Sequence, residues 1–399
     1  MEVVWAYDRD HRQHPFIVLS ALSLREAGHG ITVVSGDYAP GAPYAAWADF
    51  SMQRRITHWA EAAQLNGLGR LLGRLRYNTI DLWALYLRGF RRLMRQPTNV
   101  IVASRPEAAV IAFAAAKLRK KRFVYFPFEL YGEQITKASP WLLWAERLIL
   151  RKADAVITQN AERARVYVEE RGARTTPFIV HNYKTTQPMK RGGKLRPALG
   201  LPQGQKVVLY EGLLIPGRWL DRLAQATLHL PDDVTVVLMG REKMGWRASV
   251  ETALAPALAS GRLKILPPVE HDELPDWVAD ADLGVVIYDD AVRNNLYCEP
   301  GKLTDYISVG APVLAPDFPT VGPVVRDLGI GVTFASGAPE AIAAGVLQGL
   351  ARTKESWRPA LDAACAELCW ERQVPSLLAA VTGAPPMAGG DLAPPEAGR

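Results

Sequence analysis

The chain has 399 residues, 49% of them apolar and 22% charged, with a formal net charge of +6. That length accommodates two domains with separate cores, and the composition is that of a soluble globular protein rather than a disordered chain. No run reaches the roughly 18 uninterrupted apolar residues of a membrane span, and three cysteines exclude a disulfide framework and fit a reducing cytoplasm.

The opening "MEVVWAYDRDHRQHP" has no basic region followed by an apolar run, so it reads as a first strand rather than a signal peptide. The loop after that strand carries Asp8, Asp10 and His14. A histidine side chain ordinarily titrates near neutrality, so His14 is a candidate general base for a bound hydroxyl, although the stretch reads equally well as a polar loop. His29, at a helix-to-strand turn, reads as structural. Short apolar runs follow one another, separated by helical patterns: "EVVWAY", "GITVVSG", "TNVIVAS", "RFVYFPF", "ADAVIT" and "PFIVH". They predict one parallel sheet covered on both faces and ending near Asn182. Glu129 and Glu133 follow one of its strands at the carboxyl edge and are candidates to orient a ligand hydroxyl, although Glu129 reads equally well as a solvated loop acid.

Charge is unevenly spread. Ser51 to Arg122 holds fifteen Lys/Arg against three acids, a local excess of twelve, so the remainder is net −6. Within it Arg88, Arg91, Arg92 and Arg95 recur at helical spacing, with Leu82, Leu85, Tyr86, Phe90 and Leu93 on the apolar side. Leu65, Leu68, Leu71, Leu72 and Leu75 form a similar pattern upstream. One reading is a pair of amphipathic helices packed on the sheet with solvated arginines. The other is a peripheral surface for anionic lipid on the inner face of the cell membrane, positioning a lipid-linked acceptor. Nucleic acid is not expected, because no helix–turn–helix, RNA-binding signature or stacking pattern accompanies the charge.

After a Lys-, Gly- and Pro-rich connection, a second set of strands appears in "KVVLYEG", "VTVVLMG", "RLKILPP", "LGVVIY", "PVLA" and "GIGVTF". The expected fold is therefore α/β, with two doubly wound Rossmann-like domains facing across a cleft at the carboxyl ends of their strands. In "LYEGLLIPGRWLDRLAQA" a strand runs into Gly212 and a helix opens around Arg218. Glycine admits a close ligand, and a cation there meets phosphate oxygens. In "CEPGKLTDYISVGAPVLAP" Pro300 and Glu299 suit a first helical turn, whereas Lys302 opposes the macrodipole. A bound anion would reverse that penalty. Asp305, three residues on, shares its helix face and suits the paired hydroxyls of a ribose. The pair sketches a nucleotide-diphosphate site, or else an exposed charged cluster. "YDD" at Tyr288–Asp290 is a common loop acid pair, and Cys365 and Cys369 read as core thiols rather than half a metal site. Leu361 to Val381 reads as helical, before a Pro/Gly/Ala-rich tail.

The stretch "EPGKLTDYISVGAPVLA" resembles the signature of glycosyltransferase family 4, the group 1 glycosyltransferases of the GT-B fold. "VYFPFELYGE", "ADAVITQNAERARVY", "FIVHN", "VEHDELPDWVADADLGVVIY" and "CWERQVPSLLAAV" are similar to further segments of that family. The resemblance implies an N-terminal acceptor domain over 1–182, a connection over 183–205 and a nucleotide-sugar domain over 206–360. A closing helix over 361–382 would cross back to the first domain, ahead of a disordered tail over 383–399. It implies ribose binding by Asp305 and diphosphate contacts from Arg218 and Lys302. The expected donor set is Gly212, Arg218, Glu299, Gly301, Lys302, Leu303 and Asp305, and the catalytic candidates are Glu129, His14, Arg218 and Lys302. Retention of anomeric configuration is implied, with no cofactor and no metal. The sequence departs from the family pattern at Leu213, Tyr297, Phe126 and Phe128, where polar groups are expected. A nucleotide-sugar epimerase and a non-catalytic scaffold of the same fold are the alternatives.

Overall fold

A computed structural model describes residues 1–7, 14–36, 50–52, 82–133, 139–186, 192–202, 204–270 and 272–385. Asp8, Asp10, the leucine pattern over Leu65–Leu75 and the tail from 386 onward lie outside the described residues. The chain divides into two compact units. One comprises Met1–Gly132, Lys137–Val180 and Gln373–Arg399, the other Glu133–Thr136 and His181–Arg372.

The first unit is built on a seven-stranded sheet. Its strands are β1 (Glu2–Tyr7), β2 (Gly30–Gly36), β3 (Phe50–Met52), β4 (Val100–Ser104), β5 (Arg122–Tyr125), β6 (Ala155–Thr158) and β7 (Phe178–Ile179). All pairings are parallel, in the order β3-β2-β1-β4-β5-β6-β7. The central strands are apolar throughout because helices cover both faces, which removes the alternation of a half-exposed strand. Two corrections to the sequence reading arise. The edge strand β3 is only three residues long, too short to show a periodicity. The run expected through Phe128 ends as a strand at Tyr125, because Pro127 has no N–H to extend the ladder.

Helices α1 (Pro15–Glu26), α2 (Leu82–Arg95), α3 (Pro106–Leu118) and α4 (Pro140–Lys152) belong to this unit. Three of them open on proline, whose missing N–H is not needed in a first turn. Two polar clusters in the core are paired. The Trp5 indole donates to Ser104 Oγ at 2.9 Å. Glu146 of α4 receives Arg171 at 2.7 Å and the Tyr125 hydroxyl at 2.8 Å. Burial pushes the Glu146 carboxyl up to about 6, against the pull of Arg171.

The second unit holds a six-stranded parallel sheet in the order β10-β9-β8-β11-β12-β13. Its strands are β8 (Lys206–Glu211), β9 (Val234–Met239), β10 (Leu263–Leu266), β11 (Leu283–Val285), β12 (Val313–Pro316) and β13 (Gly331–Phe334). The winding direction reverses between β8 and β11, and the crevice beyond the carboxyl ends of those strands is where such sheets bind ligands. Of its helices, α5 (Leu220–Ala226) follows β8, and α6 (Gly301–Ser308) precedes β12. Tyr306 of α6 is fully buried at the reversal. Its hydroxyl lies 2.9 Å from the Leu209 carbonyl and 3.3 Å from that of Val285, and it accepts the Glu211 N–H at 3.1 Å. Gly284 makes room for the ring, since a Cβ there would stand 2.3 Å from Tyr306 Cγ.

The single helix expected over Leu361–Val381 is two. One helix spans Lys354–Glu367, a tight turn covers Trp370–Arg372, and α7 occupies Val374–Thr382. Pro375 enforces the break, because it fits the first turn of a new helix but not the middle of an old one. Helix α7 packs on β6, β7 and α1. Ser376 there donates to the Ile179 carbonyl at 2.7 Å, and Arg122 to that of Ala380 at 3.0 Å.

Gly284→Ala is expected to lower stability by about 1–3 kcal/mol, the usual range for overpacking a filled core. Urea denaturation measures it; an unchanged midpoint would show that Tyr306 is not confined by Gly284.

Candidate functional site

The site in the second unit is assembled at the reversal point. At the end of β8, Gly212 adopts φ +128°, and a Cβ there would lie 3.2 Å from Lys302 Nζ. Glycine is thus favoured by the backbone, and a Cβ would crowd the lysine. The turn that follows carries Arg218, whose guanidinium donates to the Tyr210 hydroxyl at 2.9 Å and lies 5.1 Å from the Tyr288 ring centre. Helix α5 begins only at Leu220, after Trp219 in a left-handed conformation. Arg218 therefore sits in the turn before the helix, not in its first turn as the sequence suggested. Two bonds tie that turn to the loop after β11: Asp289 N–H donates to the Gly217 carbonyl at 3.1 Å, and Asn295 Nδ2 to the same oxygen at 3.1 Å. The Asp289 side chain accepts the Ala291 N–H at 2.9 Å, so it shapes the loop.

Lys302 is the second residue of α6 and is only 7% exposed. Its ammonium stands 3.7 Å from the Tyr210 ring centre and 5.7 Å from that of Tyr288, with no hydrogen-bond partner. Ring faces stabilise a cation but do not satisfy its three donors. Burial holds its pKa below the ordinary lysine value. Pro300 is the cap of α6 rather than a member of its first turn, and no side chain caps the helix. A desolvated ammonium, a guanidinium beside it and an uncapped helix start together form a receptor for an anion.

The neighbouring acids are already engaged. Glu299 receives His181 Nδ1 at 2.6 Å and the Asn182 N–H at 2.7 Å, and His181 stacks flat on Tyr183. Its two oxygens therefore hold the segment after β7, and His181 serves the same clamp. Asp305 is ion-paired with Lys184. Gly301 lies near Asn182, leaving the backbone there unobstructed. The Leu303 side chain is in the core and its N–H bonds the Pro300 carbonyl at 3.0 Å.

Three contributors escaped the sequence reading. Tyr210 and Tyr288 looked like ordinary strand residues, and Lys184 reaches Asp305 across 121 positions of chain. A fourth, Glu211, left one visible signal, an acid closing the apolar run "KVVLY". It is buried, and burial together with Asp305 pushes its carboxyl up to about 7, against Lys302, Lys184 and Arg218.

In the first unit, His14 precedes α1, and its ring stacks on Phe128 at 4.2 Å and meets Tyr7 edge-on at 5.9 Å. Phe16, Phe126 and Phe128 form an apolar cluster around it. The Phe128 carbonyl accepts Gln159 Nε2 at 3.0 Å and also Arg163. Glu129 is half-buried; its carbonyl accepts the Tyr167 hydroxyl at 3.0 Å, and its carboxylate bonds no described residue. His29 lies 3.4 Å from the terminal amine, far from this group. Glu133 pairs with Arg293 at 3.1 Å. Among the described residues, no three His, Cys, Asp or Glu side chains gather as a metal site requires.

Residues 17–183 match the glycosyl transferase 4-like domain. A D-inositol 3-phosphate glycosyltransferase from Xylanimonas cellulosilytica is 30% identical over 153 residues, 35% of this chain and 36% of the relative. The chain thus matches about a third of that relative's length. Two solved structures superpose on nearly the whole chain. Sucrose-phosphate synthase from Thermosynechococcus elongatus has a TM-score of 0.70 at 15% identity, over 94% of this chain and 96% of its own. HepE from Anabaena, solved with UDP, has 0.69 at 16%, over 96% and 100%. Both show the same fold.

Because the Glu211 pKa is raised in the folded protein, the native state holds a proton that the unfolded chain releases. Its ionisation therefore erodes stability as pH rises from about 4.5 to about 7, and the loss then levels off. Glu211→Gln, which keeps the neutral shape, is expected to melt higher than wild type at pH 8 and equally at pH 4.5. Thermal melts at both pH values check this; a gap of the same size at both would remove the titration from the explanation.

Proposed function

We propose, from the match of residues 17–183 to the glycosyl transferase 4-like domain and from the GT-B fold, that the protein transfers a sugar from a nucleoside diphosphate to an acceptor hydroxyl. Surface polysaccharide or glycoconjugate assembly is the setting. The observation that carries the reading is the Lys302 ammonium, buried without a hydrogen-bond partner beside Arg218 and Gly212. An unsatisfied buried cation costs stability, and a diphosphate would supply the missing oxygens.

The donor's diphosphate would lie against Gly212 and the start of α6, with Arg218 and Lys302 on its oxygens. Its ribose would displace Lys184 from Asp305. As the glycosidic bond breaks, negative charge builds on the leaving diphosphate. Cations already fixed in a dry pocket stabilise that charge without reorganising, and the reading calls on no metal. The sugar passes through an oxocarbenium-like state, and retention of configuration is the expected outcome. HepE, solved with UDP and with UDP-glucose, supports a uridine donor. The first unit would hold the acceptor, with Glu129 and His14 placed to orient its hydroxyl. Its basic helices favour a cytoplasmic protein held at an anionic membrane face; no helix among the described residues is long and apolar enough to cross one. Losses at Leu213, Tyr297 and Phe128 keep a non-catalytic binder as the second reading, which shares the nucleotide site but not the transfer.

Lys302→Met separates the two costs. Without ligand it is expected to raise stability by about 1–3 kcal/mol, since an unsatisfied ammonium becomes an apolar chain of similar length. In a thermal-shift panel of UDP, GDP, ADP and dTDP, wild type should respond to one nucleotide, UDP first, by a few degrees near 100 times its Kd. The variant should respond to none. No response from wild type at millimolar nucleotide would sink the donor site.

A further inference from the structure

In the first unit α3 lies between α2 and α4 and packs against both, so the three helices form one layer over a face of the sheet. The outer side of α4 is unusual. Trp141 is 52% exposed and Trp144 68%. Arg147 and Arg151 continue the same stripe and are exposed, while Leu142, Ala145, Ile149 and Leu150 face inward. Tryptophan is normally well covered, and two on successive turns at this exposure leave a large apolar area in water. Helix α2 repeats the pattern, with Leu87 50% and Met94 36% exposed among exposed Arg88, Arg91 and Arg95.

The charge on this layer has one sign. Helix α2 contains no acid, the only acid of α4 is Glu146, buried against Arg171, and Glu107 of α3 is paired with Arg105. Arg88, Arg91, Arg95, Arg147 and Arg151 make no ion pair with a described residue. Large amphipathic rings with arginines on the next turns are the composition of a headgroup-level anchor. A protein partner would be expected to meet mixed charge here, and nucleic acid would not use aliphatic Leu87 and Met94. The stripe is also well placed. Leu143, between the two tryptophans, packs so close to Gly132 that a Cβ there would lie 2.9 Å away. The first turn of α4 is thereby pinned beside the segment after β5, which carries Glu129.

We propose that Trp141 and Trp144 insert at the interface of an anionic bilayer, with Arg147 and Arg151 of α4 and Arg88, Arg91 and Arg95 of α2 on its lipid phosphates. The choice of partner rests on the reading of the basic helices as membrane-facing; the assignment of the anchor to α4 does not depend on the transferase reading. It places the acceptor side of the first unit at the surface where a lipid-linked acceptor would be presented.

The test is sedimentation of the full chain with vesicles of phosphatidylglycerol and phosphatidylcholine, against vesicles of phosphatidylcholine alone. Wild type should bind the anionic vesicles only. Trp141→Ala/Trp144→Ala should need about tenfold more lipid or beyond for half binding, as expected when apolar burial supplies much of the affinity. Trp141→Phe/Trp144→Phe should recover part of it. The UDP thermal shift, read on every variant, reports folding and the donor site separately. Equal binding by wild type and the alanine variant would overturn the anchor while leaving the membrane reading intact. Absence of binding by wild type would overturn both without touching the donor site. A dimer in lipid-free solution that the alanine pair dissolves would assign the surface to a second copy instead.

Discussion

The site of the second unit depends on one phenol. Tyr306 places its hydroxyl among the Leu209 carbonyl, the Val285 carbonyl and the Glu211 N–H, where the winding of the sheet reverses and β8 and β11 leave backbone groups to be satisfied. Buried backbone polar groups need partners, and here a side chain from α6 supplies one. That bond fixes the helix against both strands, and Gly284 admits the ring that makes it. Lys302 and Asp305 ride on the same helix. Their positions follow from a packing constraint several ångströms below the surface they serve.

With α6 held there, Lys302 has nowhere to go but onto the Tyr210 face, beside Gly212 and short of any carboxylate. Folding would favour a satisfied or apolar residue at this place. A strained polar group persisting at a sheet reversal is the pattern of a site whose stability has been traded against binding. Glu211 adds a second tension. It lies among Lys302, Arg218 and Lys184 yet is disfavoured as an anion, because burial and the nearby Asp305 outweigh the cations. In the absence of ligand the pocket thus balances two poorly solvated charges, and a bound diphosphate would tip it toward a protonated Glu211.

Much of this was legible in the sequence. The six strands of the second sheet stand where the apolar runs placed them, since strands buried on both faces have to be continuous apolar segments. The cations at 218 and 302 were visible because each breaks a local rule, a charge at a helix mouth or beside a turn glycine. What escaped lay across space rather than along the chain. Lys184 reaches Asp305, His181 reaches Glu299, and Tyr210 and Tyr288 come together only when β8 and β11 become neighbours. A signature position names a residue, but the helical phase decides which side chain faces the core, and the Leu303 side chain does. Strand β3 carried too few residues for any period to show.

The first unit distributes its polarity differently. Where the resembling family carries polar groups after the strand equivalent to β5, Phe126 and Phe128 build an apolar wall with Phe16, and the ring of His14 lies flat against it. A histidine stacked on an aromatic face has its ring plane fixed. The polar anchoring of this loop comes from beneath, through Gln159 and Arg163 on the Phe128 carbonyl, so the wall is rigid without presenting charge. Chemistry proposed for such a protein has to lean on the leaving group. In the proposed transfer, rate would come from the cations that receive the diphosphate, and the first unit would contribute position through the apolar wall at this loop.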